Sequence, residues 1–251
     1  MRCLRCRTVP AAVVARKFGI NEGIWNLINL LETVQLPATF FVPGEVAKEN
    51  GVILKDVSRR GFEIAAHGYT HTNPQKLSAD EQSLHLQKTC SLLEDITGKR
   101  TMGYRAPGYN IGANTLEIIA RQGLLYDSSL MDSENLYIME NGLVEIPVSW
   151  PLDDWTLYGE STECEMANIT PSFQIREVLQ YELEARLEAG VLFVTVLHPQ
   201  LSGRIVRIRA WKKFLIRYAD DPRISWTSMQ DMAKDFAKEN ISSSTSNILS
   251  T

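Results

Sequence analysis

Leu36-Pro-Ala-Thr-Phe-Phe-Val-Pro-Gly44 encloses a short apolar, β-prone run, Ala38 to Val42, between Pro37 and Pro43-Gly44. A run this short and without polar alternation reads as a strand buried on both faces, the kind a parallel sheet uses. Before it, Ile24, Leu27, Ile28 and Leu31 fall at i, i+3, i+4 and i+7 behind Asn21, which predicts an amphipathic helix ending near Val34 and closed by Pro37. After it the same cycle recurs. Residues 45 to 60 read as helix, Phe62 to Ala66 as strand, and Ser78-Ala-Asp-Glu81 as the capping box of a long helix that Gly98 ends.

The pattern continues with a strand over Met102 to Ala106, a helix over 113 to 122, and strands over Leu124 to Ser128 and Leu143 to Pro147. A helix from Ser172 to Glu188, the apolar strand Val191 to Leu197, a helix over 206 to 218, a strand near Ile224 to Trp226 and a helix from Ser228 to Phe236 complete it. Strands alternating with helices imply parallel strands joined by crossovers. This many of them predict an α/β fold closed, or nearly closed, into a barrel. The body is expected as one domain, 18–238, between an atypical basic segment, 1–17, and a Ser- and Thr-rich tail, 239–251, expected to lack regular structure.

A chain of 251 residues, 44% hydrophobic, is long enough to bury a sizeable core. Its formal charge of −4 and the absence of a basic stripe argue against nucleic acid as a partner and favour a small or sugar-like substrate. Cys3, Cys6, Cys90 and Cys164 are too sparse for a disulfide framework, and their spacing supplies no second half of a zinc ribbon. No apolar run approaches the roughly 20 residues of a membrane span, and no secretory h-region follows the start, so a cytoplasmic protein without a membrane partner is expected. The start itself is unusual: Arg2, Arg5, Arg7, Arg16 and Lys17 are basic and no acid precedes Glu22. That composition suits either an organelle transit peptide or, better given the lack of a Ser-rich amphipathic pattern, a truncated or misread beginning.

In parallel α/β architectures, reactive groups collect at the C-terminal ends of strands. Three of the four histidines fall there. His67 and His71, in Ala66-His-Gly-Tyr-Thr-His71, follow a strand; a helical turn at that point would aim both rings at one metal. An isolated pair is equally compatible with two surface histidines sharing a face, and the place after a strand favours ligands. His198 follows the most apolar strand and precedes Pro199; alone it would read as a structural histidine, and its agreement with the pair changes that. His85 lies within the long helix and takes no role. Gly103-Tyr-Arg-Ala-Pro-Gly-Tyr109 makes a rigid turn in which Pro107 can hold Arg105 and Tyr109 toward a pocket, or simply a loop with a solvated arginine. Asp153 and Asp154, beside Trp150 and Trp155, are a candidate pocket wall that could pair with Arg105, or two solvated acids.

Taken in order, these segments resemble the polysaccharide-deacetylase (NodB homology) superfamily over about Phe18 to Phe236, in the branch of peptidoglycan deacetylases and allantoinase-like cyclic-amide hydrolases. Leu36 to Gly44 resembles the family's second strand, and Ala66 to His71 the motif whose two histidines bind metal. Arg105 to Tyr109 resembles the motif lining the groove, Leu143 to Pro147 through Leu152-Asp-Asp154 the segment before the fourth motif, and Leu197-His-Pro199 the motif with the catalytic histidine. The resemblance implies a distorted (β/α) barrel and a divalent metal, zinc by preference, held by Asp, His and His, here His67 and His71. It implies an Asp base, a proton donated to the leaving nitrogen by His198, and substrate support from Arg105, Pro107, Tyr109, Asp153, Asp154 and Trp155.

The family's first motif, an Asp-rich strand end, should lie before Asn21, where this chain has no Asp or Glu. The third ligand therefore has no identifiable residue, and the first strand is expected to be absent or replaced by Val9 to Ala15; Cys3 and Cys6 are poor substitutes on a basic terminus. Two functions follow from this: hydrolysis of non-peptide C–N bonds in N-acetylated sugars or small cyclic amides and ureides, or a catalytically impaired relative that binds carbohydrate or acts as a scaffold. The resemblance also admits a homo-oligomer, since members of this branch often assemble, and a sheet edge exposed by a missing first strand would add a reason to associate.

Overall fold

The computed structural model describes residues 11–158 and 170–248; the expected basic start up to residue 10, with Cys3 and Cys6, and Cys164 lie outside them. The chain divides into two compact units, one from the described residues up to Leu36 together with Ser149–Ser225, the other Pro37–Val148 together with Trp226 onward.

The second unit carries the sheet. Its strands are β1 (Thr39–Val42), β2 (Glu63–Ala66), β3 (Gly103–Tyr104), β4 (Tyr126–Asp127), β5 (Tyr137–Ile138) and β6 (Val144–Glu145), in the order β1-β2-β3-β4-β6-β5. Every pairing is parallel except that of β5 with β6. The quoted apolar run pairs in full, Thr39 with Glu63 through Val42 with Ala66. Crossovers are made by α3 (Gly44–Arg59), α4 (Ala79–Thr97) and α5 (Thr115–Arg121). The capping box is formed, with Ser78 accepting from the Glu81 amide and Glu81 from the Ser78 amide, and Gly98 ends the helix in the left-handed conformation. The sheet's edges are β1 and β5, and among the described residues no strand pairing joins them.

The first unit is helical: α1 (Ala11–Phe18), α2 (Ile24–Val34), the short α6 (Asp154–Leu157) and α8 (Pro199–Ser202), α7 (Ser172–Ala189) and α9 (Ile205–Tyr218). Its core includes one face of α9, on which Trp211, Phe214, Leu215 and Tyr218 recur at i, i+3, i+4 and i+7 and are buried. Each such side chain contributes about 1.5–3 kcal/mol by leaving water. The stretch expected to replace a first strand, Val9 to Ala15, is helical from Ala11.

Two expected strands do not form. Val191 to Leu197 makes a single bridge, Val196 to Asp153. Its partner segment is extended only briefly: Leu152 accepts from the Val196 amide and the Thr195 hydroxyl, after which Asp153 caps α6 and turns the chain away. Ile224 to Trp226 opens instead on a turn in which the Ile224 amide bonds Asp221 O. The last helix, α10 (Met229–Ile248), belongs to the second unit and runs past Asn240 into the Ser- and Thr-rich stretch.

Candidate functional site

In the sheet unit, His67 and His71 leave the end of β2, but not in a helical turn. Gly68 and His71 both take left-handed backbone angles, φ 66° and 58°, and fold the loop so that the two rings lie 4.9 Å apart, edge to face. Gly68 is needed twice over, since a Cβ there would be in left-handed strain and 3.2 Å from Pro107 Cγ. The loop is held from below by α3, whose first amides, Gly44 and Glu45, donate to the carbonyls of Gly68 and Tyr69, and by Thr89, which donates to Gly68 O. His67 Nδ1 lies 2.7 Å from Arg105 O. A carbonyl can only accept, so Nδ1 carries the hydrogen and Nε2 the lone pair, the tautomer of a metal-binding histidine oriented by its outer partner.

Arg105 is 6% exposed, which rules out a solvated loop arginine. Its Nε donates to Ser128 O at 2.8 Å and its Nη2 to Ser128 Oγ at 2.7 Å, and its guanidinium lies 4.2 Å above the Phe41 ring and 5.9 Å from that of Tyr109. Ser128 thus does for Arg105 what a loop aspartate was expected to do. Pro107 is buried, and Gly108 and Tyr109 follow with φ 61° and 60°, so the turn is rigid.

In the helical unit, Asp154 is fully buried. Its Oδ1 lies 2.6 Å from His198 Nδ1, and its Oδ2 accepts from the His198 amide at 2.8 Å and from Ser202 Oγ at 2.5 Å. Trp211 Nε1 donates in turn to Ser202 Oγ. Because a carboxylate only accepts, His198 carries its hydrogen on Nδ1, with Nε2 as the basic nitrogen. Trp155 stands edge-on to the imidazole with centroids 5.4 Å apart, and Asp153 Oδ1 accepts from the Trp155 amide at 2.7 Å. Asp154 is therefore not a solvated acid; it holds His198. Ser202 and Trp211 carry no sequence signal of this role.

Among the described residues, the group of His, Cys, Asp and Glu donor atoms that converges within 4.8 Å is Asp153, Asp154 and His198. Within this group Asp154 and His198 are arranged as a hydrogen-bonded acid–imidazole pair. Both oxygens of Asp154 already receive donors, and the 2.6 Å separation from Nδ1 is the hydrogen bond itself. His67 and His71 offer a metal two imidazoles close together, one with its tautomer fixed, although no carboxylate completes a ligand set with them among the described residues.

The family model described as polysaccharide deacetylase matches residues 14–126. A solved Mycobacterium smegmatis protein described as a polysaccharide deacetylase is 31% identical, with TM-score 0.86 over 92% of this chain and 82% of that one. The peptidoglycan deacetylase of Helicobacter pylori is 27% identical over 89% of this chain and 86% of its own length. The solved Puue allantoinase shares the fold at TM-score 0.80, with 21% identity over 89% of this chain and 75% of that one. The chain belongs to the polysaccharide deacetylase family, a class of hydrolases acting on C–N bonds, and has its α/β fold with a sheet that is parallel except at one edge. Among the described residues, no helix is long and apolar enough to cross a membrane.

Proposed function

We propose that this protein is a metal-dependent hydrolase of non-peptide amide bonds, with N-acetylated sugars or small cyclic amides and ureides as substrates. The observation that carries the reading is the His67–His71 pair, 4.9 Å apart, with His67 Nδ1 held by Arg105 O, which prepares an imidazole lone pair for a cation. His67 and His71 would hold the metal, most suitably zinc. When bound, zinc polarises an amide carbonyl and lowers the pKa of a water.

The chain's own residues supply the remaining work. An amine leaves poorly unless it is protonated. His198, with Nδ1–H fixed on Asp154, is the residue proposed to carry a proton on Nε2 to the leaving nitrogen. Arg105 and Tyr109, held by Pro107 in a rigid turn, and Asp153 and Trp155, which set the start of α6, support the substrate and the histidine. The names of the relatives, a peptidoglycan deacetylase and an allantoinase, support a polymeric acetamido sugar and a small ureide as the two substrate classes to test.

The test combines metal analysis with a substrate panel. The purified protein is assayed with and without added zinc on N-acetylglucosamine oligomers, allantoin and cyclic imides, beside His67→Ala and His198→Ala. Zinc-dependent release of acetate or ring-opened product, lost in both variants, is the expected result. Zinc binding abolished by His67→Ala with no turnover of any substrate would instead favour a carbohydrate-binding or scaffolding role. Zinc content unaffected by His67→Ala would sink the assignment.

A further inference from the structure

Asp127 on β4 and Glu145 on β6 are direct register partners in adjacent parallel strands, so their side chains share a face of the sheet, and both are fully buried. Two carboxyls out of water and side by side cannot both be ionised without a large cost. The donors around them show which one is neutral. Asp127 Oδ1 accepts the Ser129 hydroxyl at 2.9 Å and Oδ2 the Ser129 amide at 3.0 Å. Glu145 Oε1 accepts the Leu130 amide at 2.9 Å and that of Ser129 at 3.2 Å. Glu145 Oε2 is buried and meets no donor, while its carboxyl is in hydrogen-bonding contact with Asp127. With each Asp127 oxygen already accepting from Ser129, a proton on Oε2 satisfies that atom and leaves Asp127 the charge its donors suit.

We infer that Asp127 and Glu145 share a single proton, carried on Glu145 Oε2 and donated to Asp127, and that this pair positions the Arg105–Pro107 turn and, through it, His67. The connection is continuous. Ser129 Oγ, while donating to Asp127, accepts the Ala106 amide at 2.8 Å; Ser128, next in chain, holds the Arg105 guanidinium; and Arg105 O holds His67 Nδ1. Asp127 and Glu145 are therefore positioning residues that act on the imidazole through Ser129 and the Arg105–Ala106 backbone.

The electrostatics agree. Burial, followed by the charge of Asp127, pushes Glu145 up to about 9, whereas Asp127, also raised by burial but relieved by the Glu145 and Ser129 hydrogen bonds and by Arg105, is held at about 6. The other titratable groups around the pair do not supply a second proton acceptor. Tyr104 on β3 and Tyr126 on β4 are phenols held neutral by burial, and Tyr137 on β5 gives its hydroxyl to Asp132. Glu63 on β2 has the opposite strand parity and so lies on the other face of the sheet, where it accepts from Tyr126, Thr39 and the Gln230 amide and meets Asp231 of α10. Since the folded pKa of Glu145 lies above its ordinary 4.5, folding takes up a proton between that value and about 9. Stability from this group is complete at the acid end and is lost as pH rises through that window.

Neither arm of the test depends on metal binding or hydrolysis. Glu145→Gln replaces the O–H at Oε2 with an N–H that donates to Asp127 while the amide oxygen keeps Ser129 and Leu130. Asp127→Asn keeps one acceptor and sets its NH2 against the other of the two Ser129 donors. In the wild type, infrared spectroscopy should show a buried carboxylic-acid carbonyl band at neutral pH that Glu145→Gln removes. The fall in Tm from about pH 5 to about pH 9 should flatten in Glu145→Gln. The 15N signals of the His67 ring should keep the Nδ1–H tautomer in Glu145→Gln and shift toward a tautomer mixture in Asp127→Asn. No acid band in the wild type, or a Glu145→Gln variant as damaged as Asp127→Asn, including failure to fold, would overturn the shared proton. A His67 signal unchanged in Asp127→Asn would overturn the positioning role.

Discussion

Asp154→Asn separates the two roles a buried aspartate can have beside a histidine. The substituted amide has one acceptor and one donor in place of two acceptors. With its oxygen at the Oδ2 position it keeps the His198 amide and the Ser202 hydroxyl, both within 2.8 Å in the parent, and presents NH2 to His198 Nδ1. The reverse orientation would set NH2 against two donors, at roughly 1–3 kcal/mol for each buried group left unsatisfied. The first orientation is therefore taken, and it forces Nδ1 to become the acceptor. The stability loss is that of exchanging one charge-assisted hydrogen bond for a neutral one, about 1–2 kcal/mol, or roughly 2–8 °C in Tm for a chain of this size. The chemical loss is larger, because a ring whose Nδ1 is held as an acceptor can no longer take up the second proton that makes Nε2–H acidic enough to protonate an amine. Removing a positioned proton donor of this kind costs on the order of 10²- to 10⁴-fold in rate. The assay is 15N NMR of the imidazole with a melting curve, followed by turnover on the substrate panel. A His198 that keeps Nδ1–H in Asp154→Asn would refute the reasoning, as would a Tm loss far beyond that range.

Three further outcomes are expected. Gly68→Ala, which adds a Cβ at φ 66° and 3.2 Å from Pro107, should cost about 1–2 kcal/mol in chemical denaturation and weaken zinc binding, because it moves the loop between His67 and His71. Ser78→Ala removes the capping box at the start of α4 and should lower stability by about 1 kcal/mol without affecting zinc titration. The Arg223 side-chain hydrogen bond lowers Asp221 to about 2, below its ordinary 3.8, so stability from this exposed pair is present above that value and lost as pH falls through about 2; acid titration of Arg223→Ala should show Asp221 back in the ordinary range.

Most elements with strong punctuation are legible in the sequence. The box Ser78 to Glu81, the stop at Gly98 and the run Ala38 to Val42 each specify local geometry through their own hydrogen bonds or backbone limits. Val191 to Leu197 misleads because apolar, β-branched composition reports burial and not the length of the partner segment, which here ends at Asp153. The site is legible in its residues but not in its connections. Spacing points to His67 and His71 through a helical turn, whereas two left-handed residues bring them together. Asp154 stands out beside Trp155, yet its bond to His198 crosses 44 positions, which no local pattern reports. Asp127 and Glu145 do leave a signal, an acid inside each of two apolar strands, and such an acid needs a buried partner.

The most direct measurement is calorimetric zinc titration of four proteins: the wild type, His67→Ala, His71→Ala and Asp154→Asn. If His67 and His71 hold the metal and Asp154 serves His198, one zinc binds the wild type and Asp154→Asn with similar affinity, and each histidine variant loses at least tenfold. Binding that survives in both histidine variants and disappears in Asp154→Asn would place the cation on Asp153, Asp154 and His198 and contradict the assignment.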